Sequence, residues 1–182
     1  MIGLAWSSYT IRVLPRVATA SHYRSRTARP GSRVPARTEG KRAIEPSVEL
    51  RDLTTSLYQA MTIGDASFVT TFSRQPGVLG IGTDPAEWWS DYPTLERVMT
   101  AQLREMGAGG VRVVAGNPQA YQEGSVGWAA DQPTIQMPDG TKMPARITLV
   151  AHREGGAWKI VQAHISVGAR NEEVLGQTLT VE

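Results

Sequence analysis

Residues 143–168 read MPARITLVAHREGGAWKIVQAHISVG. Two extended runs flank Gly155-Gly156, a two-residue hairpin turn signal. The reading is a long hairpin with strands over 143–154 and 157–168. Glu154 then faces Ala157, Arg153 faces Trp158, and an unbroken ladder continues that pairing. Cross-strand partners share a face. One face carries Arg146, Thr148, Val150, His152, Lys159, Val161, Ala163, Ile165 and Val167. The other carries Ala145, Ile147, Leu149, Ala151, Trp158, Ile160, Gln162, His164 and Ser166. Both faces are mixed, so this pairing alone leaves open which one is buried.

Working upstream, 111–121 and 124–137 also read as strands, with a bend at Asn117-Pro118 and a turn at Asp139-Gly140. Before Gly110 the period is helical. Ser47 is the expected N-cap of a helix carrying Val48, Leu50, Leu53, Leu57, Tyr58 and Met61. Gly64 stops it, and Asp65 caps a short second helix through Phe68 and Phe72. Residues 78–82 read as a short strand. Thr83-Asp84-Pro85 is expected to open a helical turn bearing Glu87, Trp88 and Trp89. A third helix after Pro93 aligns Leu95, Val98, Met99, Leu103 and Met106. Helices followed by an antiparallel meander predict an α+β domain, about three helices on one face of a sheet. The segment after Arg170 reads as a short helix and then a loose tail over 176–182.

Charge divides the 182-residue chain. Residues 1–43 hold nine Lys or Arg and one Glu, a net +8; the rest hold ten basic and sixteen acidic residues, a net −6. The overall pI of about 9.1 therefore describes neither part. A uniformly basic nucleic-acid-binding domain is excluded. Cysteine is absent, which excludes disulfides, thiolate metal sites and a cysteine nucleophile. Three histidines make no metal site, and no apolar run has the length of a membrane span. The expectation is a cytoplasmic protein without a metal or tightly bound cofactor. Residues 1–43 are too poor in apolar side chains to offset chain entropy and are expected to be disordered. A secretory signal, an organelle transit peptide, a polybasic arm and a non-functional extension remain open for them. The expected domain spans 44–175.

Three stretches resemble the SnoaL-like branch of the nuclear-transport-factor-2-like superfamily: Gly64-Asp65, residues 81–89 (IGTDPAEWW) and residues 153–166 (REGGAWKIVQAHIS). The resemblance covers about 46–175. It implies a cone-shaped α+β barrel with a pocket between the helices and the concave sheet face, and a homodimer built on the outer face. Ketosteroid isomerases of that superfamily read Gln-Ala-Tyr-Trp-Ser where this chain has Gln162-Ala163-His164-Ile165-Ser166. Their Trp lines the active site. By that resemblance Arg146, Thr148, Val150, Val161, Ala163 and Ile165 face the pocket, while Gln162 and His164 face a dimer interface.

The same alignment puts the isomerase Tyr at Leu57, the base near Gly80 and the oxyanion acid at Thr148. All three functions are missing, which argues against that isomerisation and leaves the catalytic residues unassigned. Leu57, Met61, Trp88, Trp89 and Trp128 complete the candidate pocket wall. Glu87 and Asp91 are either acids at its entrance or helix-start charges. Arg146 facing an apolar pocket would call for an anionic partner. The expected function is binding, with or without transformation, of a small hydrophobic or weakly acidic molecule. The alternatives are a cofactor-free isomerase, cyclase or hydrolase, and a non-enzymatic dimerisation or sensory module.

Overall fold

A computed structural model of the chain describes residues 43–179. Expectations for residues 1–42 and 180–182 lie outside the described residues.

Helix α1 (Val48–Ile63) follows a two-residue strand β1 (Glu45–Pro46). Its buried positions Leu50, Thr54, Leu57 and Tyr58 fall on one helical stripe. Ser47 holds the N-cap position, but its hydroxyl donates to Gln122 Oε1 at 2.8 Å instead of closing the helix. Gly64, in the left-handed region at φ 75°, ends α1. A 3-10 helix (Ala66–Thr71) follows, capped by Asp65. Helix α2 (Tyr92–Ala108) has Asp91 as N-cap, its Oδ1 accepting from the Thr94 amide at 2.8 Å. The ends of α1 and α2 meet backbone to backbone at Gly64 and Gly107, where a Cβ on Gly107 would overlap Gly64.

The remaining strands are β2 (Leu79–Ile81), β3 (Trp88–Trp89), β4 (Arg112–Val114), β5 (Gln119–Glu123), β6 (Val126–Asp131), β7 (Thr134–Gln136), β8 (Lys142–Glu154) and β9 (Ala157–Val167). They form a curved, unclosed sheet in the order β1-β5-β6-β8-β9-β2-β3, with β7 joining β4 to β8. Helix α3 (Asn171–Leu175) follows β9. The architecture is the expected α+β one, with three differences. The sheet is mixed, because β2 runs parallel to β9. The two upstream strands are each split, at Gly116-Asn117-Pro118 and at Gln132-Pro133. Residues 88–89 form a strand pairing with β2; one hydrogen-bonded turn closes at Asp84–Glu87, but the two tryptophans are not helical.

The β8–β9 hairpin starts as expected, with Glu154 opposite Ala157 and Arg153 opposite Trp158. Gly155 (φ 58°) and Gly156 (φ 87°) supply the two positive φ values of a type I′ turn. The ladder then shifts: Ala151 pairs with Ile160, but Val150 pairs with Gln162. Val161 is the extra residue of a β-bulge. Beyond it Leu149 faces Ala163 and Ile147 faces Ile165. Ala145, Ile147, Leu149, Ala151 and Ile160 are buried, at most 3 % exposed, and Leu149 and Ile160 pack in one core with Leu50, Leu57, Phe72, Leu95 and Leu103.

One buried carboxylate holds the β4–β5 bend. Asp131, 8 % exposed, accepts from the Asn117 amide (2.7 Å), the Gly116 amide (3.0 Å) and the Tyr58 hydroxyl (3.0 Å). Burial, and then the Asp131 charge, push the Tyr58 hydroxyl well above its ordinary pKa. Asp131→Ala orphans three donors, and chemical denaturation should record a loss of about 3 kcal/mol; a loss within error of zero would contradict the clamp. The unfolded chain releases the Tyr58 proton first, so this group's contribution is whole below about pH 10 and declines above it. Urea melts should therefore show stability falling more steeply above that pH in the native chain than in Tyr58→Phe. Equal slopes would contradict this coupling.

Candidate functional site

Strand β2 brings its glycine, Gly80, against Trp89 and the Leu95 side of α2. Gly80 pairs with Trp89 and with Ala163, and a Cβ on Gly80 would collide with the Trp89 ring and crowd Leu95. The Trp89 indole therefore lies over the inner face of β2. Strand alternation turns Trp88 the other way, where it is 61 % exposed. Gly82 has an analogous role for a carboxylate. A Cβ there would overlap the Glu87 side chain, which folds back over Gly82. Glu87 Oε2 accepts from the Asp84 amide at 3.1 Å, and Oε1 accepts from Gln102 Nε2 on α2 at 2.6 Å.

These elements bound a cavity of about 290 Å³. Its buried walls are Leu57, Phe72, Leu95, Leu103 and Ile147, joined by Met61, Met99 and Met106. Methionines give such walls shape tolerance. Ala163 and Ile165 contribute from β9. Polar groups gather where the β2–β3 connection meets α2: Thr83, Glu87, Gln102 and Glu105, of which Thr83 and Glu105 are exposed. That end is the mouth. Among the described residues no Lys or Arg lines the cavity. Among the described residues no group of three or more His, Asp or Glu side chains could hold a metal ion.

The candidate wall residues separate into two sets. Leu57, Met61, Trp89, Ala163 and Ile165 line the cavity. Arg146 and Thr148 do not; both are exposed on the opposite face of β8, and Val150 shares their face. The bulge is the reason. It carries Ala163 and Ile165 onto the side of Leu149 and Ile147, where an unbroken ladder would have matched them with Thr148 and Arg146. Arg146 instead borders a groove of about 450 Å³ with Gly168, Arg170 and Thr178. Val161 is the bulge residue and lines neither space.

Trp128 packs near Tyr121, ring centroids 6.3 Å apart, on the Val150 side of the sheet. Gln162 pairs with Val150 and with Leu79, also away from the cavity. His164 borders the cavity through β9, although alternation with Ala163 and Ile165 directs its side chain to the Thr148 face. His152 is exposed. Asp91 serves α2 as a cap, whereas Glu87 reaches the cavity; sequence alone had left these two acids equivalent. Gln102 was missed. Its signal was helical spacing, since it lies three residues after Met99 and four before Met106 on the same stripe.

Among the described residues no helix is long and apolar enough to cross a membrane. No curated protein matches the sequence. The fold is similar to that of an NTF2-like protein of unknown function from Pseudomonas putida, at 16 % identity over 76 % of this chain and 99 % of that one, with a TM-score of 0.61. It is also similar to a proposed dehydratase of the NTF2-like family from Streptomyces avermitilis, at 15 % identity over 66 % and 94 % of the two chains and a TM-score of 0.56. A proposed ketosteroid isomerase from Shewanella frigidimarina shares 16 % identity over 63 % and 92 %, with a TM-score of 0.51. The family model of the SnoaL-like domain matches residues 50–170. The chain thus belongs to the SnoaL-like domain family, and its fold is that of the NTF2-like proteins named above.

Proposed function

We propose that the chain binds a small, mainly apolar molecule in the cavity between α1, α2 and the inner sheet face. One observation carries this reading: an apolar, methionine-rich cavity opens past a carboxylate held by two hydrogen bonds. Apolar walls with a few placed polar groups are the usual chemistry of a ligand site. At about 290 Å³ the space lies at the low end of the roughly 300–1,000 Å³ typical of such pockets.

Glu87 favours a second, enzymatic reading. A carboxylate in the wall of an apolar cavity is placed to move a proton. A cofactor-free isomerase, cyclase or dehydratase would use it as acid or base, with Gln102 fixing its orientation. Homodimerisation through the outer sheet face belongs to the same proposal. Tyr121, Trp128, Val150 and Gln162 lie on that side of the sheet, and a second copy would cover them.

Ile165→Trp should fill part of the cavity and weaken binding of a neutral polarity-sensitive dye by about tenfold, near the value of a lost buried contact. Thr148→Trp, on the other face, should leave dye binding unchanged. Equal effects of the two substitutions would contradict the cavity as the site. Any turnover found in a screen of enolisable and dehydratable compounds should fall by about a hundredfold or more in Glu87→Gln, and undiminished turnover would overturn the enzymatic reading. Gln162→Arg should yield monomer in sedimentation; an unchanged dimer would remove the outer-face interface.

A further inference from the structure

The polar end of the cavity carries two carboxylates beside the Gln102 amide and the Thr83 hydroxyl, which both donate and accept. Glu87 and Glu105 are its carboxylates, and among the described residues no lining residue is Lys or Arg. His164 borders the wall, but its side chain is directed to the Thr148 face by strand alternation. The Glu87–Gln102 contact fixes the amide's orientation on chemical grounds. An ionised carboxylate only accepts, so the amide nitrogen must face it. The amide carbonyl is left as a further acceptor beside Glu87. Each Glu87 oxygen receives one of the two hydrogen bonds and keeps capacity for another. The Thr83 hydroxyl adds a group that also accepts.

A ligand carboxylate or phosphate entering this mouth would meet like charge and, among the described residues, no lining Lys or Arg. An ammonium supplies three donors and a positive charge. The expectation of a weakly acidic ligand depended on Arg146, which lies outside the cavity.

We propose that the cavity selects a small hydrophobic amine. Its ammonium sits against Glu87 and the Gln102 carbonyl, and its apolar body lies among Trp89, Met99 and Leu103. The inference rests on the binding reading above and specifies the ligand's charge.

Calorimetric titration of the full chain at neutral pH with naphthylmethylamine, naphthylmethanol and naphthoate tests it. The three probes share a ring system and differ in the charge of the head group. The amine should bind about tenfold or more tighter than the alcohol, as a charge-assisted hydrogen bond allows, and naphthoate should bind weakest. Glu87→Gln should bring the amine within about twofold of the alcohol by removing that charge. Equal affinity of amine and alcohol, tighter binding of naphthoate, or an amine preference surviving in Glu87→Gln would overturn the amine inference and leave the apolar pocket standing. Failure of all three to bind would overturn both. The series on the unmodified chain decides the matter even if the variant fails to fold.

Discussion

Strand β9 spends one residue, Val161, without a partner on β8, and the displaced ladder determines which side chains enter the cavity. On the turn side of the bulge, Ile160 is the inward residue of β9. On the far side, Ala163 and Ile165 are inward. Strand β8 has no bulge, so Ala145, Ile147, Leu149 and Ala151 face the helices throughout. Without the extra residue, a cavity built on Ala163 and Ile165 would have turned Arg146 and Thr148 inward with them. The bulge thus keeps a cation out of an apolar space where it would need a partner. The parallel pairing of β2 with Gln162, Ala163 and His164 depends on the same register, because it places Gly80 beside Ala163.

That placement links the sheet to the chemistry of the mouth. Gly80 makes room for the Trp89 indole, and Gly82 makes room for the Glu87 carboxylate. Two glycines in one short stretch thereby serve an aromatic wall and an acidic group. Glu87 then reaches across to Gln102 on α2, so the β2–β3 connection and the helix are joined at the cavity's polar end. The Asp131 clamp works at a separate place. It holds the bend between β4 and β5 against α1 through Tyr58, and it lines no part of the cavity. The charge at the mouth and the charge in the core accordingly have different tasks.

Much of the fold was legible in the sequence because its signals are local. Gly155-Gly156 fixed the turn, Gly64 and Pro93 marked helix ends, and the change from helical to alternating period at Gly110 located the start of the meander. Trp88 and Trp89 were misread as helical because Asp84-Pro85 resembles a helix start. Their partner strand, β2, is what draws them into the sheet. The inward face of β8 was in fact written in its own alternation: Ala145, Ile147, Leu149 and Ala151 against Arg146, Thr148 and His152. Assuming an unbroken ladder obscured it. The bulge also left a trace, since the inward residues Trp158, Ile160, Ala163 and Ile165 step by two, then three, then two. The meeting of Glu87 and Gln102 was not legible, because it joins a loop to a helix through tertiary packing and leaves no period.

Retained ligand is the most direct measure of the central claim, that the function of this chain resides in the cavity beneath the β8–β9 bulge. Native mass spectrometry of the chain purified gently from its source should show a small added mass. Met99→Trp, which crowds the α2 wall, should lose that mass while a groove variant, Arg146→Ala, keeps it. An added mass that survives in Met99→Trp and disappears in Arg146→Ala would contradict the account and move the site to the other side of the sheet.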